Sequence, residues 1–322
     1  MSALADLRGN VLLQVGGAVT VEASGGPADR QAGVPNSPAT RFQLASVSKQ
    51  FTSTAVMLLA DRGVLAVTDP LASLVDGCPD AWRDITVRHL LTHTSGIGHW
   101  DDIPEIDICA AMEPAEQLDA VKHRPLIAEP GERFYYSSLG YFLLARIVQR
   151  VAGRLYAAFL ADEIFTPLGM TATFAGNGHG EPQLAVGYAD GEPTSSYELD
   201  CTGLGAGDVW STTADLARWD AAVSERRLLS AASWDAALAT QVRIDAEASE
   251  GPVAVEGYGY GWITGSLLDS DTRVFLHTGG NAGFRTLNLL IPESETCLVI
   301  LCNDEASDVA RLATEVLAAN SA

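Results

Sequence analysis

Positive charge, and lysine in particular, is scarce in this sequence of 322 residues. Asp and Glu number 41 against 20 Lys and Arg, which gives a formal net charge of −21 at pH 7. Such a surface repels nucleic-acid phosphates and anionic lipid headgroups, so neither nucleic acid nor a membrane is expected as a partner. Only two of the 20 basic residues are lysines, Lys49 and Lys122. A lysine amine, unlike a guanidinium, can be tuned by its surroundings to exchange a proton.

Cysteine and histidine are also few, and their spacing carries no disulfide or metal signature. The five cysteines stand at positions 78, 109, 201, 297 and 302, without a Cys-x-x-Cys pair. The six histidines contain no His-Glu-x-x-His arrangement. We therefore expect reduced and mostly buried cysteines, no metal ion and no organic cofactor.

Long hydrophobic runs are missing as well. Residues 1–10 lack the apolar segment of a secretory signal, and the longest later runs have only the length of a strand. The composition, with 47% hydrophobic and 19% charged residues, is typical of a globular protein. The expected location is cytoplasmic.

Strand patterns stand at both ends of the chain, and helix patterns fill the middle. A hairpin with a Gly16-Gly17 turn is predicted near the N-terminus, and strands are predicted over residues 258–263, 272–276, 286–291 and 296–301. This order predicts an α/β protein of the α+β type, in which residues 1–64 and 206–322 form one discontinuous sheet domain. Residues 65–205 are predicted to form a mainly helical domain, with the active site in the cleft between the two.

Ser46 and Lys49 form a Ser-x-x-Lys motif at the start of a predicted helix. Residues three apart share a helix face, so the Lys49 amine can reach and activate the Ser46 hydroxyl. The helix N-terminus also favours a developing negative charge. With 22 serines in the chain, however, this spacing occurs easily by chance. On the motif alone, a capping serine on a surface helix and a catalytic serine stay equally open.

Two further segments carry candidate site residues. Tyr136 follows a Pro-Gly turn and precedes a predicted helix, so its phenol can face Lys49, although such a tyrosine more often anchors a loop. Residues 277–280, His-Thr-Gly-Gly, end a strand candidate, and the glycines allow a ligand to approach the backbone. Taken separately, each segment also has a purely structural explanation.

Together and in this order, the three segments resemble the serine β-lactamase and penicillin-binding protein superfamily. The resemblance is to the branch that contains class C β-lactamases, D-alanyl-D-alanine carboxypeptidases, D-aminopeptidases and lactamase-like esterases. It spans nearly the whole chain and includes residues 41–52, 89–96, 130–141, 205–216 and 277–284. It implies a β-lactamase/transpeptidase-like fold, in which an antiparallel sheet is flanked by helices and accompanied by a helical insert domain.

The resemblance also implies roles for individual residues. Ser46 is the acylated nucleophile, Lys49 is its amine partner, and Tyr136 is the general base that then protonates the leaving group. The N–H groups of Ser46 and Gly280 form the oxyanion hole. Residues 89–96 match a family segment that we interpret as structural.

Two departures from the family pattern bear on the substrate. His277, Thr278 and Gly279 occupy the place of a Lys-Thr-Gly strand, which makes His277 a further catalytic candidate and the next two residues candidates for substrate binding. Ser138, also a substrate-binding candidate, stands where relatives commonly have a longer asparagine amide. Neutral imidazole predominates above a pKa of about 6.5, so His277 supplies less fixed positive charge than lysine. Both departures weaken the recognition of β-lactams and peptide carboxylates.

These residues predict a serine hydrolase that cleaves a small ester or amide through an acyl-Ser46 intermediate. The sequence contains no Gly-x-Ser-x-Gly elbow, which disfavours an α/β-hydrolase route to the same activity. Three alternatives stay open: a D-alanyl-D-alanine carboxypeptidase or β-lactamase, an acyltransferase that uses the same acyl-enzyme, and a non-catalytic binding or sensor module. The expected partner is a small-molecule ester, amide or peptide substrate, and the sequence indicates no oligomeric state.

Overall fold

The computed structural model describes residues 4–106, 112–194, 203–244 and 249–320. The strands are β1 Gly9–Val15, β2 Ala18–Gly25, β3 Pro27–Asp29, β4 Val34–Pro35, β5 Phe42–Gln43, β6 Phe174–Ala175, β7 Gly187–Ala189, β8 Glu192–Thr194, β9 Val209–Ser211, β10 Val242–Arg243, β11 Ser249–Glu250, β12 Val253–Tyr258, β13 Ile263–Leu267, β14 Arg273–Asn281, β15 Phe284–Ile291 and β16 Thr296–Cys302. The α-helices are α1 Lys49–Asp61, α2 Val87–Leu91, α3 Pro114–Lys122, α4 Ser138–Ala152, α5 Tyr156–Leu160, α6 Thr166–Leu168, α7 Thr213–Ser224, α8 Ala231–Leu238 and α9 Val309–Ala318. A 3-10 turn, Ala45–Ser48, precedes α1, and a π-helical turn, Ala161–Phe165, joins α5 to α6.

One antiparallel sheet dominates the fold and brings the two ends of the chain together. Its strands follow the order β10-β12-β13-β14-β15-β16-β1-β2, and β11 also pairs with β12. β1 lies beside β16, with Gly9 opposite Cys302. The predicted N-terminal hairpin is confirmed: β1 and β2 are joined by Gly16 and Gly17, whose φ angles of 57° and 73° suit a tight turn between twisted strands. The fold class predicted from the sequence is likewise confirmed.

Side chains alternate between the two faces of this sheet and build two separate cores. On one face, Leu13, Leu298 and Ile300 belong to a core shared with α9. On the other face, Leu12 and Val299 join a larger core that includes residues of α1, α4 and α7. All five side chains are at most 3% exposed. The sheet is therefore buried on both faces, and α1 is packed from its first turn.

The region between the two sheet-forming parts of the chain contains the helices α2 to α6. Its longest helix, α4, packs against α1 and α2. This helix begins where the Ser137 hydroxyl accepts the Gly140 N–H, and it ends at Gly153 with a left-handed φ of 66°. The short strands β6, β7 and β8 also lie here, and the sequence does not predict them. None of the helices in the described segments is long and apolar enough to span a membrane.

The C-terminal strands differ from the prediction in one place. The sequence predicts a strand over residues 258–263, but this is wrong, because β12 ends at Tyr258 and β13 begins only at Ile263. Between them, Gly261 has a φ of 80°, and a Cβ there would lie 2.7 Å from the Lys49 carbonyl oxygen. The connection between the two strands therefore packs directly against the first turn of α1.

Strand β14 continues to Asn281, past the predicted strand of residues 272–276, and its last residues contact the segment before α1. A Cβ on Gly279 would lie 3.0 Å from the Ala45 Cβ and closer still to the Leu44 carbonyl oxygen. The Thr286 hydroxyl, opposite Gly279 on β15, donates to that same carbonyl at 2.7 Å. Glycine at position 279 therefore lets the sheet lie against the turn that carries Ser46.

A buried polar cluster joins α1 to α7 and β15. The Asn288 side-chain amide donates to Asp220 at 2.9 Å and to Gln50 at 3.1 Å. All three residues are at most 1% exposed. Burial raises the pKa of the Asp220 carboxyl well above its usual range, and the Asn288 hydrogen bond opposes this rise only in part. The folded state therefore favours a protonated Asp220, whose Oδ2 has no hydrogen-bond partner.

We expect Asp220→Asn to stabilise the fold at neutral pH. Folding raises the pKa of this acid, so the folded protein holds a proton that the unfolded chain releases above a pKa of about 3.9. Stability therefore falls as the pH rises through that value, whereas an amide has no such proton to lose. The free energy of unfolding should rise at pH 7 by about 1.4 kcal/mol for each pKa unit that burial adds, and by less near pH 4.

Thermal and urea unfolding at both pH values check this expectation. The matched control is Asp84→Asn, because the Asp84 side chain is 79% exposed and its substitution should leave the unfolding free energy unchanged. A loss of stability at pH 7 in Asp220→Asn would show that the carboxyl is ionised in the folded protein.

Candidate active site

A cleft of about 290 Å³ contains four of the predicted site residues. Ser46, Tyr136, Ser138 and Gly280 line it. The other lining residues are His99, Trp100, Asp101, Gly203, Ala206, Gly207, Asn281 and Ala282. A larger depression of about 690 Å³ beside α9 is lined by no lysine, histidine or cysteine. The cleft at Ser46 therefore brings together the predicted nucleophile, Ser46, and the predicted base, Tyr136.

Ser46 lies in the 3-10 turn directly before α1 and is partly exposed. The preceding residue, Ala45, is fully buried and has a φ of 49°, a strained conformation for a side chain other than glycine. Lys49 is the first residue of α1, so the motif spans the junction of the two helical types. This geometry places the Lys49 Nζ 3.0 Å from the Ser46 Oγ.

The Lys49 amine is fully buried and contacts three oxygen atoms. Its Nζ lies 3.0 Å from the Ser46 Oγ, 3.2 Å from the Ser138 Oγ and 2.9 Å from the Ala206 carbonyl oxygen. Burial lowers the pKa of Lys49 well below its usual value, and the charge of the nearby Asp208 opposes this shift. The surroundings therefore favour the neutral amine.

The three oxygen contacts can be satisfied by an ammonium with three donors or by a neutral amine with two N–H donors and one lone pair, and burial favours the neutral amine. The Ala206 carbonyl can only accept, and the Ser138 hydroxyl can accept as well, so these two use both N–H groups. In the neutral form the lone pair then faces Ser46, and the Ser46 hydroxyl becomes the donor. The arrangement prepares the Ser46 proton for transfer to the amine.

The loop of residues 205–208 places the Ala206 carbonyl beside Lys49. The Gly205 N–H donates to the Asp208 carboxylate at 3.0 Å, and the Thr52 hydroxyl of α1 donates to the Gly205 carbonyl at 2.5 Å. Directly after the loop, the Val209 N–H donates to the Ser48 hydroxyl at 3.1 Å. The loop is therefore bonded at both of its ends to the segment that carries Ser46 and Lys49.

Tyr136 lies on another side of Lys49, with its ring centre 4.9 Å from Nζ. Its hydroxyl is buried and makes no hydrogen bond of good geometry. Burial raises the pKa of the Tyr136 phenol, and the nearby Ser46 hydroxyl opposes that rise only in part. The phenol is therefore protonated at neutral pH, and Lys49 contacts the face of its ring.

A buried histidine fixes the backbone next to Tyr136. His93 is 1% exposed, has a φ of 56°, and its Nδ1 accepts the Ser137 N–H at 3.0 Å. Its ring centre lies 4.3 Å from that of Tyr136 and 5.0 Å from that of Tyr141. Burial lowers the pKa of His93 well below its usual value, so the ring is neutral and carries its proton on Nε2. These contacts fit the structural interpretation of residues 89–96.

His277 lies behind Tyr136 and does not line the cleft, in contrast to its expected catalytic position. It is 2% exposed, and both ring nitrogens are occupied: Nε2 lies 2.9 Å from the Tyr258 hydroxyl and Nδ1 lies 2.6 Å from the Thr278 carbonyl oxygen. A carbonyl only accepts, so Nδ1 carries the proton and Tyr258 donates to Nε2. Burial and the Lys49 charge lower the pKa of His277 to about 3. Thr278 and Gly279 do not line the cleft either.

The end of β14 does reach the cleft, at Gly280 and Asn281. Strand β13 pairs with β14 only as far as Leu276, so the paired neighbour of Gly280 is Arg285 of β15. The other edge of Gly280 faces the cleft, because β13 does not extend that far. The Asn281 side-chain amide donates to the Gly207 carbonyl at 3.1 Å, which joins the strand to the loop of residues 205–208.

One side of the cleft comes from a segment that the sequence does not identify as part of the site. The His99 ring lies 5.9 Å from the Tyr136 ring in a stacked arrangement, and Trp100 lines the cleft although it is 8% exposed. Burial lowers the pKa of His99, while the charges of Asp101 and Asp102 oppose this shift. The sequence signal is a His-Trp-Asp-Asp run shortly after residues 89–96.

Three of the five cysteines lie in the described part of the chain. Cys78, Cys297 and Cys302 are free, and burial raises the pKa of the Cys297 thiol. The remaining two cysteines, Cys109 and Cys201, lie outside the described residues. Within those residues, no group of three or more His, Cys, Asp or Glu side chains is placed to hold a metal ion.

Comparison with known proteins gives matches along almost the full chain. The Beta-lactamase family model matches residues 5–321. A penicillin-binding protein of Bacillus subtilis (strain 168) is 30% identical over 323 residues, which cover 92% of this chain and 68% of that relative. The crystal structure of a penicillin binding protein from Bacillus halodurans superposes with a TM-score of 0.85 at 26% identity and covers 98% of both chains.

A third match shows the fold alone. The D-amino acid amidase from Ochrobactrum anthropi SV3, at 22% identity, has a TM-score of 0.83 and covers 97% of this chain and 93% of its own.

The resemblance stated from the sequence motifs is confirmed by these matches. The family match spans both sheet-forming ends and the helical middle, and the cleft at Ser46 holds a serine in contact with a buried amine. The chain is therefore an enzyme that acts on amide or ester substrates. This protein belongs to the Beta-lactamase family of serine hydrolases.

Proposed function

We propose that this protein hydrolyses a small ester or amide through an acyl-enzyme formed on Ser46. The observation that supports this most strongly is the 3.0 Å contact between the Ser46 Oγ and the fully buried Lys49 amine. An amine whose pKa is lowered by burial can accept a hydroxyl proton at neutral pH, which an ordinary surface lysine cannot do. A binding or sensor module would have no use for a nucleophile prepared in this way.

Acylation begins when the Ser46 proton moves to the Lys49 Nζ and the Ser46 Oγ attacks the substrate carbonyl carbon. Negative charge develops on the carbonyl oxygen, and the N–H groups of Ser46 and Gly280 are the donors we assign to it. The bond to the leaving group then breaks, the leaving group takes the Tyr136 proton, and the Lys49 ammonium returns a proton to the Tyr136 phenolate. In the second half of the reaction, water gives a proton to the Lys49 amine and attacks the acyl-Ser46 ester; the acid leaves, and that proton returns to the Ser46 oxygen.

We assign Tyr136 to the protonation of the leaving group and Lys49 to the removal of the Ser46 proton. The family resemblance instead implies that Tyr136 first acts as the general base and then protonates the leaving group. In this proposal Lys49 takes over the role of the base. A base would have to be a phenolate, but burial raises the pKa of Tyr136 and keeps the phenol protonated. The hydroxyl makes no hydrogen bond of good geometry, so it is available to a leaving atom in the cleft.

His277 receives a positioning role in this proposal. Both of its nitrogens are bonded, one to Tyr258 and one to the Thr278 carbonyl, so it has no free atom for proton transfer to substrate. The Tyr258 ring contacts His93, which in turn packs on Tyr136. Ser138 helps to hold the Lys49 amine, as its 3.2 Å contact indicates.

The preferred substrate class is an ester or amide without an acidic acyl group. The residue at the Lys-Thr-Gly position is a buried neutral histidine, which offers no charge to a substrate carboxylate. A D-alanyl-D-alanine carboxypeptidase or β-lactamase stays the second candidate, favoured by relatives named penicillin-binding proteins and by the fold of a D-amino acid amidase. An acyltransferase shares the first half-reaction and differs only in the acceptor that replaces water.

The cellular location and the domain division are also proposals. We propose a cytoplasmic location, and a small-molecule partner is supported by the net charge of −21, which disfavours polyanionic partners. The division of the chain at residues 64 and 205 is supported by the large sheet, whose strands all lie outside residues 65–205. The reaction proposed at Ser46 depends neither on the cellular location nor on the domain division.

Ser46→Ala should lower the hydrolysis of short-chain p-nitrophenyl esters by at least about a thousandfold, because it removes the nucleophile. Ser53→Ala is the matched control, since this buried serine lies in α1, directly after the turn that carries Ser46, and its hydroxyl donates to the Gln50 carbonyl at 3.0 Å. It should keep most of the activity. A fluorophosphonate probe followed by peptide mapping should label Ser46, and turnover that survives in Ser46→Ala or label on Ser48 would contradict the proposal.

Tyr136→Phe should slow the hydrolysis of an anilide much more than that of the p-nitrophenyl ester of the same acyl group. The aniline must be protonated to leave, whereas p-nitrophenolate leaves as an anion, so loss of a general acid should cost the anilide about a hundredfold to ten-thousandfold. Thermal stability should be retained, because the Tyr136 hydroxyl makes no hydrogen bond of good geometry. Equal losses for both substrates would instead make Tyr136 the base that activates Ser46.

A further inference from the structure

Charge is distributed unevenly around the cleft at Ser46. Among the described residues that line it, Asp101 is the one carboxylate, and there is no lysine or arginine. The lining also includes the His99 imidazole, whose pKa is lowered chiefly by burial, so it is neutral at pH 7. The residues that a substrate meets therefore carry a net negative charge.

The cations beside the cleft are already engaged elsewhere. The Lys49 amine is fully buried, favours the neutral form and contacts three oxygen atoms. Arg285, opposite Gly280, donates to two backbone carbonyls at 3.1 Å and 2.9 Å and pairs with Glu305 at 3.4 Å. Neither of these two basic side chains is available to compensate the charge of the Asp101 carboxylate or to bind a substrate anion.

The loop that carries Asp101 is held in place by the next residue. Asp102 accepts the His99 N–H at 2.6 Å and the Tyr135 hydroxyl at 3.0 Å. The Asp101 side chain, in contrast, is 91% exposed and lies 4.0 Å from the His99 Nδ1. Because the His99 ring stacks on Tyr136, the Asp101 carboxylate stands at the cleft opening, one imidazole away from the Tyr136 ring.

We propose that Asp101 selects substrates whose acyl group carries a positive charge. This inference rests on the proposed function and specifies its substrate class as an ester or amide of a cationic acyl group. With the scissile carbonyl at Ser46, a cation further along the acyl chain reaches the cleft opening. There it forms an exposed ion pair with the Asp101 carboxylate. The chain's net charge of −21 adds attraction at longer range.

Three p-nitrophenyl esters test the proposal, each a butanoyl ester that differs only in its terminal group: trimethylammonio, tert-butyl or carboxylate. The first two have nearly the same shape, so they isolate the effect of charge. We expect kcat/KM for the cationic ester to exceed that for the tert-butyl ester by about threefold to fivefold, as for an exposed ion pair. The carboxylate ester should be the poorest of the three. Added salt should reduce the preference, because it screens exposed charges.

Variants at two positions separate the local from the general effect of charge. Asp101→Asn should reduce the ratio between kcat/KM for the cationic ester and kcat/KM for the tert-butyl ester to about one. Asp101→Lys should make the carboxylate ester a better substrate than the cationic one. Asp84→Asn removes one exposed charge away from the lining residues and should leave the preference as it is in the unmodified enzyme.

Equal kcat/KM for the trimethylammonio and tert-butyl esters in the unmodified enzyme would overturn this inference, as would a preference that Asp101→Asn leaves intact. In both cases Ser46-dependent hydrolysis of the three esters would still support the proposed function. Hydrolysis that persists in Ser46→Ala would overturn the proposed function itself, whatever the order of the esters.

Discussion

The burial of the Lys49 amine is the constraint on which the rest of the site depends. An ammonium taken out of water loses several kcal/mol of hydration, which the protein must offset or avoid by lowering the pKa. The pocket around Nζ supplies one carbonyl and two hydroxyl oxygens, a set that a neutral amine satisfies with two donors and one lone pair. Because one of the hydroxyls belongs to Ser46, the same contacts that allow burial also prepare the nucleophile.

The topology brings three distant segments to that amine. The end of β14 can lie against the Ser46 turn because Gly279 has no side chain to collide with Leu44 and Ala45. The loop of residues 205–208 is bonded to α1, and α4 presents Ser138 from its first turn. Two residues other than glycine hold left-handed φ angles near this point, Ala45 and His93. Each costs about 1–3 kcal/mol, which the surrounding buried packing must outweigh.

The residues with a local sequence signal could be predicted, and those fixed by strand register could not. Ser46 and Lys49 are three apart, and helical geometry alone brings them together; the Gly16-Gly17 hairpin is set by its turn in the same way. Whether His277 faces the cleft or the interior depends instead on the register of β14 and on Tyr258, 19 residues earlier. The predicted strand over residues 258–263 fails for a similar reason, because its alternating aromatic pattern includes a glycine with left-handed φ.

The role proposed for Asp101 in substrate specificity could not be predicted from the sequence either. Its contribution to the cleft follows from the stacking of His99 on Tyr136 and from the loop that Asp102 holds, and neither contact has a spacing that a single sequence reveals. The chemistry of the site is therefore carried by short motifs, whereas the selection of substrate is carried by loops placed through tertiary contacts.

The protonation state of Lys49 tests the central claim most directly, and the scarcity of lysine makes it measurable. In the variant Lys122→Arg, lysine labelled with carbon-13 at Cε gives a single NMR signal, which can be followed against pH in the folded enzyme. A buried, neutral amine predicts a signal that titrates well below the ordinary lysine pKa of about 10.4. A signal that titrates near that ordinary value would show that Lys49 is an ammonium at neutral pH and cannot take the Ser46 proton.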